Sequence, residues 1–128
     1  MKKDVTLWLL EELLSDKYAQ PASVKAYEPE ECIFHAGDAG DYLGILLSGR
    51  IEIRKNGKSI SFEGAGAMFG EMGLIDHLPR AADVYAVSHS RVMEVREGQF
   101  MALLEENAHF SLCVMRILTE RLRSRMES

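Results

Sequence analysis

No stretch of this sequence approaches the ~20 apolar residues that a bilayer-spanning helix needs. After Met1-Lys2-Lys3-Asp4 the apolar residues are interrupted by Glu11 and Glu12, so no secretory signal is read there. Basic residues are in deficit: 15 Lys and Arg stand against 20 Asp and Glu, a net charge of -5. That balance argues against nucleic acid held on a broad positive patch. The 2 cysteines, Cys32 and Cys113, form neither a CxxC pair nor a metal spacing. They read as buried, reduced thiols of a cytoplasmic protein rather than as a disulfide. The histidines His35, His77, His89 and His109 form no HxH pair and no HExxH set. A metal site wants several convergent ligands, so none is expected and each histidine reads as a surface or satisfied side chain. Ser88-His89-Ser90 reads as a hairpin turn, and neighbours in a chain do not make a catalytic triad. No nucleophile is framed, and the expectation is a non-enzyme without a cofactor.

What remains is an ordinary globular balance. The 128 residues are 47% hydrophobic and 27% charged, which fits one domain, 1–128, with a modest core. Three zones follow along the chain. In the first, 1–20, Asp4 can cap a helix, and Val5, Leu7, Trp8, Leu9, Leu10, Leu13 and Leu14 give it a broad apolar surface. Such a surface must be covered, by the domain itself or by a partner or second copy.

The middle zone, 24–96, reads as short strands and glycine turns. Glu31 to His35 is one strand, closed by Gly37-Asp38 and Gly40-Asp41. Leu43 to Leu47 is apolar and Ser48-Gly49 turns the chain. Ile51 to Lys55 alternates with period two, and Asn56-Gly57 is a strong hairpin signal before Lys58 to Phe62. Val84–Val87 and Val92–Val95 are two further strands. Such a pattern suggests an antiparallel roll or sandwich. The last zone, 97–128, is helical: Glu97 to Glu106, then Ala108 to Met126. In the second helix Leu112, Met115, Leu118 and Leu122 recur at helical spacing, with Phe110, Val114 and Ile117 widening the stripe. Arg116, Arg121, Arg123 and Arg125 gather toward its end, where cations suit the helix dipole.

The stretch FGEMGLIDHLPRAADV, Phe69 to Val84, carries the chemistry. Gly70 allows a sharp turn or a close approach to a ligand. Glu71 to Asp76 fits a short helix whose first N–H groups suit an anion, and Pro79 would stop it. Arg80 would then begin a strand. Its guanidinium can hold phosphate oxygens with two parallel hydrogen bonds. Ala81 and Ala82 leave room beside it. Strand alternation would put Arg80, Ala82 and Val84 on one face and Asp83 on the other. Glu71 wants a hydrogen-bond donor, and a ribose hydroxyl is the natural candidate. Taken as an isolated Glu and Arg, the same pair also reads as a helix-start acid and a surface ion-pair partner.

This stretch, extended to FGEMGLIDHLPRAADVYA, resembles the phosphate-binding cassette of cyclic nucleotide-binding domains. FHAGDAGDYLGILLSGRIEI upstream is similar to the family's Gly-Asp turn and later turn glycine, here Gly37-Asp38 and Gly49. The resemblance runs from about Val24 to the C-terminus. It implies an α+β fold: an antiparallel, jelly-roll-like β-roll (24–96, cassette 69–84), an N-terminal helix, a short cassette helix and two C-terminal helices. It implies cAMP or cGMP as ligand, with Glu71 on the ribose 2′-hydroxyl. Arg80 would take the cyclic phosphate, helped by Gly70, Ala82 and backbone groups of Met72, Gly73 and Ala81. Gly73 replaces the family's common alanine, and Ala67 stands where an acid is usual. Ala81 stands where cGMP-selective members often carry threonine, which favours cAMP. Asp83 has no account at this level.

The resemblance also implies that the last helix covers the purine, with Arg121 best placed and Leu122 and Arg125 next. Helix-end charge complementarity explains the same arginines equally well. No helix-turn-helix, kinase or channel segment follows, and Met1 leads us to expect a whole protein. The reading is therefore a sensor that signals to an effector or through a homodimer. The alternatives are a ligand-free interaction module on the same fold, using the helix at Val5–Leu14 and the last helix, and a metal enzyme on a similar roll.

Overall fold

The computed structural model describes residues 23–127, without the side chains of residues 72, 125 and 127. The N-terminal helix expected over 1–20 lies outside the described residues. The strands are β1 (Ser23–Tyr27), β2 (Cys32–Phe34), β3 (Tyr42–Ser48), β4 (Arg50–Lys55), β5 (Lys58–Gly64), β6 (Met68–Phe69), β7 (Asp83–Ala86) and β8 (Ser90–Arg96). The helices are α1 (Glu71–Asp76), α2 (Glu97–Glu106) and α3 (Ala108–Glu127). Among the described residues the strands make two antiparallel four-stranded sheets, β1-β8-β3-β6 and β2-β7-β4-β5. This is the expected α+β β-roll with a cassette helix and two C-terminal helices.

Period two in the strands sorts the core into two layers. Leu43 and Ile45 of β3, Met68 of β6 and Met93 and Val95 of β8 face the helices, where Leu74, Phe100, Leu103, Phe110, Val114 and Ile117 meet them. The residues between them, Leu46, Phe69 and Val92, turn to the other side and pack with Ile33, Phe34, Ile51 and Val84 of the second sheet. Gly44 belongs to this inner face: a Cβ there would come within 2.4 Å of the Phe69 ring. The hairpin at Asn56-Gly57 forms as expected, with φ of 54° and 77°, the mirror-image turn that matches strand twist.

Four expectations are corrected. Ser88-His89-Ser90 is not a hairpin turn, because β7 and β8 lie in different sheets. It is a corner, and Gly49 between β3 and β4 is another. The corners lock together: Ser90 Oγ donates to Ser88 O at 2.9 Å, and a Cβ on Gly49 would strike that oxygen at 2.3 Å. Second, α1 ends before Pro79 can act. His77 adopts φ 60° and its N–H closes on Gly73 O at 3.0 Å. Third, the stripe of α3 is rotated. Phe110, Val114 and Ile117 are buried, with Leu118 packed beside them, whereas Leu112, Met115, Leu122 and Met126 are exposed. The cysteines are free and half-buried rather than buried. No helix among the described residues is long and apolar enough to cross a membrane.

Candidate functional site

Arg80 is held from both its backbone and its side chain. The strand expected to begin there starts only at Asp83. The backbone of Arg80 is taken instead by the Gly37-Asp38 turn: Arg80 N–H donates to Asp38 O at 2.8 Å, and Gly37 N–H to Arg80 O at 2.9 Å. Asp83 braces the same place, since its Oδ1 accepts from Ala36 N–H at 2.7 Å. This supplies the role for Asp83 that its position in the sequence did not. The alternation itself holds, with Val84 and Ala86 buried and Asp83 and Tyr85 less so.

The Arg80 side chain is only 4% exposed. Its guanidinium lies over the Phe34 ring at 4.0 Å and the Tyr42 ring at 4.8 Å. Nη1 donates to Gly70 O at 2.7 Å and Nη2 to Tyr42 O. Burial pushes its pKa down from the usual arginine value, and Tyr42 and Asp41 push it back up. An arginine in such a setting stays charged. The φ of 77° at Gly70 brings its backbone against that guanidinium, and a Cβ there would lie 2.7 Å from Nη1.

Glu71 opens α1 and is 1% exposed. Its Oε2 accepts from Arg121 Nη1, and Arg121 Nη2 donates to Met68 O. Among the described residues Glu71 Oε1 and Arg80 Nε have no hydrogen-bond partner. Gly73, on the same helix, packs against Gly40: a Cβ on Gly73 would sit 3.1 Å from Gly40 Cα and 3.2 Å from Leu78 O, closer than ordinary contact. That contact accounts for glycine where alanine is common.

These elements surround a cavity of about 150 Å³ lined by Phe34, Ile53, Phe69, Gly70, Glu71, Gly73, Arg80, Ala81, Ala82, Val84 and Arg121. Six of the seven cassette residues singled out from sequence line it; the seventh, Met72, is the second residue of α1, and its side chain is not described. Of the two lid candidates whose side chains are described, Arg121 lines the cavity, where it binds Glu71. Leu122 is 61% exposed and points elsewhere, and Arg125 is described only as a position on α3. Sequence reasoning missed Phe34 and Tyr42, which face the Arg80 guanidinium, and did not foresee that Asp38 holds the Arg80 backbone or that Asp83 bonds the neighbouring Ala36 N–H. The Gly-Asp turn was the available signal for Asp38, and the aromatics carry none of their own.

The cavity thus presents a buried cation and a buried carboxylate, each with an unpartnered polar atom. Such mixed polarity suits a ligand with both an anion and a hydroxyl.

Comparison with known proteins agrees. Residues 24–107, well over half of the chain, match the family described as "Cyclic nucleotide-binding domain". The chain is 33% identical over 90 residues to a cAMP-dependent protein kinase regulatory subunit of Yarrowia lipolytica, covering 70% of this chain and 24% of that protein. The catabolite activator protein of Thermus thermophilus superposes with a TM-score of 0.75 at 27% identity, over 81% of this chain and 51% of that one. A cAMP-bound EAL enzyme superposes with a TM-score of 0.60 at 33% identity, over 80% of this chain and 29% of that one. Its cGMP-bound form gives 0.62 at 31% identity, over 82% and 29%. The chain therefore spans from about a quarter to about half the length of these relatives. It belongs to the cyclic nucleotide-binding domain family.

Proposed function

We propose that the chain is a cyclic nucleotide sensor, a cytoplasmic regulatory domain rather than an enzyme, and that it prefers cAMP to cGMP. The observation that carries this reading is the pairing of Arg80 and Glu71, both buried, on the walls of one cavity with a free polar atom each. Arg80 Nε and the backbone beside Ala81 and Ala82 take the cyclic phosphate. Glu71 takes the ribose 2′-hydroxyl, with Gly70 and Gly73 keeping the backbone close. Ala81 offers no hydroxyl to a guanine, which favours adenine. Relatives named for both nucleotides agree with the ligand class and do not choose between them.

At about 150 Å³ the cavity is smaller than the roughly 300–1,000 Å³ of common ligand sites. Binding therefore requires a wall to move, and α3 supplies the movable one. That shift is the signal passed to an effector or to a second copy. Calorimetry of the full chain with cAMP and cGMP tests the reading. Arg80→Ala or Glu71→Ala is expected to lose about 2–5 kcal/mol of binding, since each leaves a buried charged contact unmade. Failure of the unsubstituted protein to bind either nucleotide at millimolar concentration sinks it.

One observation favours a second reading, an interaction module on the same fold. Leu112, Met115, Leu122 and Met126 leave an apolar stripe exposed along α3. A mass that rises with concentration and ignores nucleotide would support it.

A further inference from the structure

Tyr42 opens β3 and stands opposite Arg96, the last residue of β8. Strand alternation puts its side chain on the same face as those of Glu94 and Arg96. Two guanidiniums share its ring. Arg80 lies 4.8 Å from the ring centre and Arg96 5.3 Å, both within the reach of a cation–ring attraction. Phe34, the other ring over which Arg80 lies, meets Tyr42 edge-on at 6.4 Å. Arg96 is itself anchored by acids. Its Nη2 donates to Glu94 Oε1 at 3.3 Å, and its Nη1 lies 3.4 Å from Asp41 Oδ2. The Glu94 side chain is 1% exposed, and its other oxygen lies 3.4 Å from Lys25 Nζ. Two cations on one ring would repel each other. These carboxylates neutralise Arg96 and leave Arg80 as the charge that an anion meets. The Arg96 backbone caps α2, its N–H donating to Gln99 Oε1 at 3.1 Å.

We infer that Tyr42 is a positioning residue for the phosphate contact, and that its ring joins Arg80 to the start of α2. Nη1 and Nη2 of Arg80 are committed to the carbonyls of Gly70 and Tyr42, and Nε is left without a partner among the described residues. A guanidinium is planar, so fixing its face and its Nη atoms fixes where Nε points. Tyr42 does both, through its ring and its carbonyl. A phosphate held at Nε in turn steadies the guanidinium, the ring and Arg96. Order at the site thereby reaches the first turn of α2 without a change of fold. This role for Tyr42 rests on the cavity being a nucleotide site.

Titration of the full chain with cAMP compares the unsubstituted protein with Tyr42→Phe, Tyr42→Leu, Arg96→Gln and the Tyr42→Leu/Arg96→Gln pair. Tyr42→Leu is expected to bind about three- to thirtyfold more weakly, the range of a cation–ring contact from exposed to desolvated. Tyr42→Phe keeps the ring and the carbonyl and should recover most of that affinity. Arg96→Gln is expected to bind about two- to fivefold more weakly, and to add nothing once Tyr42 is leucine, because it acts through the ring. Hydrogen exchange over the first turns of α2 gives a second readout. cAMP should slow it in the unsubstituted protein and in Tyr42→Phe, and leave it unchanged in Tyr42→Leu. Unchanged binding by Tyr42→Leu, or an equal loss in Tyr42→Phe, overturns the ring's role and leaves the nucleotide site standing. No loss from Arg96→Gln, or a loss that persists beside Tyr42→Leu, overturns the tie to α2. Should Tyr42→Leu fail to fold, unchanged binding by Arg96→Gln with unslowed exchange in the unsubstituted protein overturns the proposal. Absence of binding by the unsubstituted protein at millimolar nucleotide overturns the site and this role together.

Discussion

Gly40 and Gly73 show how single residues set the geometry of the cassette. The two backbones touch, so the turn that carries Gly40 fixes where α1 can lie, and α1 carries Glu71. A Cβ on Gly40 meets Gly73 Cα at 2.8 Å, backbone against backbone, where nothing flexible can give way. Gly40→Ala is therefore expected to cost about 1–3 kcal/mol of stability, the usual penalty of overpacking. On Gly73 the same atom would lie 3.1 Å from Gly40 Cα and 3.2 Å from Leu78 O, a milder conflict. Gly73→Ala should cost less. Urea unfolding of the two variants checks the order, and equal costs would contradict it. Arg80 makes the complementary point: a charged side chain is kept buried by two carbonyls and two aromatic faces.

At the scale of elements, α3 divides its apolar residues between two faces. Phe110 is 2% exposed and meets Phe100 edge-on at 5.9 Å between ring centres. Leu122 is 61% exposed on the other side. Phe110→Ala is expected to cost about 3–5 kcal/mol, as a large buried ring leaves a cavity. Leu122→Ala should stay within about 0.5 kcal/mol. Thermal unfolding of both variants at low protein concentration separates them. A large loss at Leu122 would show that its face is covered. The sequence pattern alone did not orient this helix, because its apolar residues occur on more than one side. Helical period reports that a helix has an apolar side, and the neighbouring sheet decides which side is inside. The cassette helix was more legible. Glu71 to Asp76 was bounded from its own glycine and its short apolar run, although His77 rather than Pro79 ends it.

Across the whole molecule, the two-sheet roll brings groups from distant strands together. Tyr27 of β1 lies near Tyr42 of β3 and Glu94 of β8. Its pKa is pushed up to about 12, first by burial and then by the charges of Tyr42 and Glu94. A phenol that ionises less readily in the folded chain stabilises it while protonated. That contribution is intact below pH about 10, the ordinary tyrosine range. It is lost as pH rises from there through about 12. Denaturant unfolding across this window should show the unsubstituted protein losing stability more steeply than Tyr27→Phe. Parallel pH profiles for the two would refute the assignment.

The sequence by itself determined the local pieces: the Asn56-Gly57 hairpin, the bounds of α1 and α2, and the motif that joins Glu71 to Arg80. Each depends on turn chemistry or helix signals within a few residues, so each is written where it acts. Tertiary structure alone decided that β7 and β8 part into different sheets, making a corner of 88–90. It alone placed Arg80 between Phe34 and Tyr42 and brought Arg121 to Glu71, 50 residues away along the chain. The physical reason is that a side chain's partners depend on which faces meet when the roll closes and α3 lies against it. No short window of sequence contains both members of such a pair.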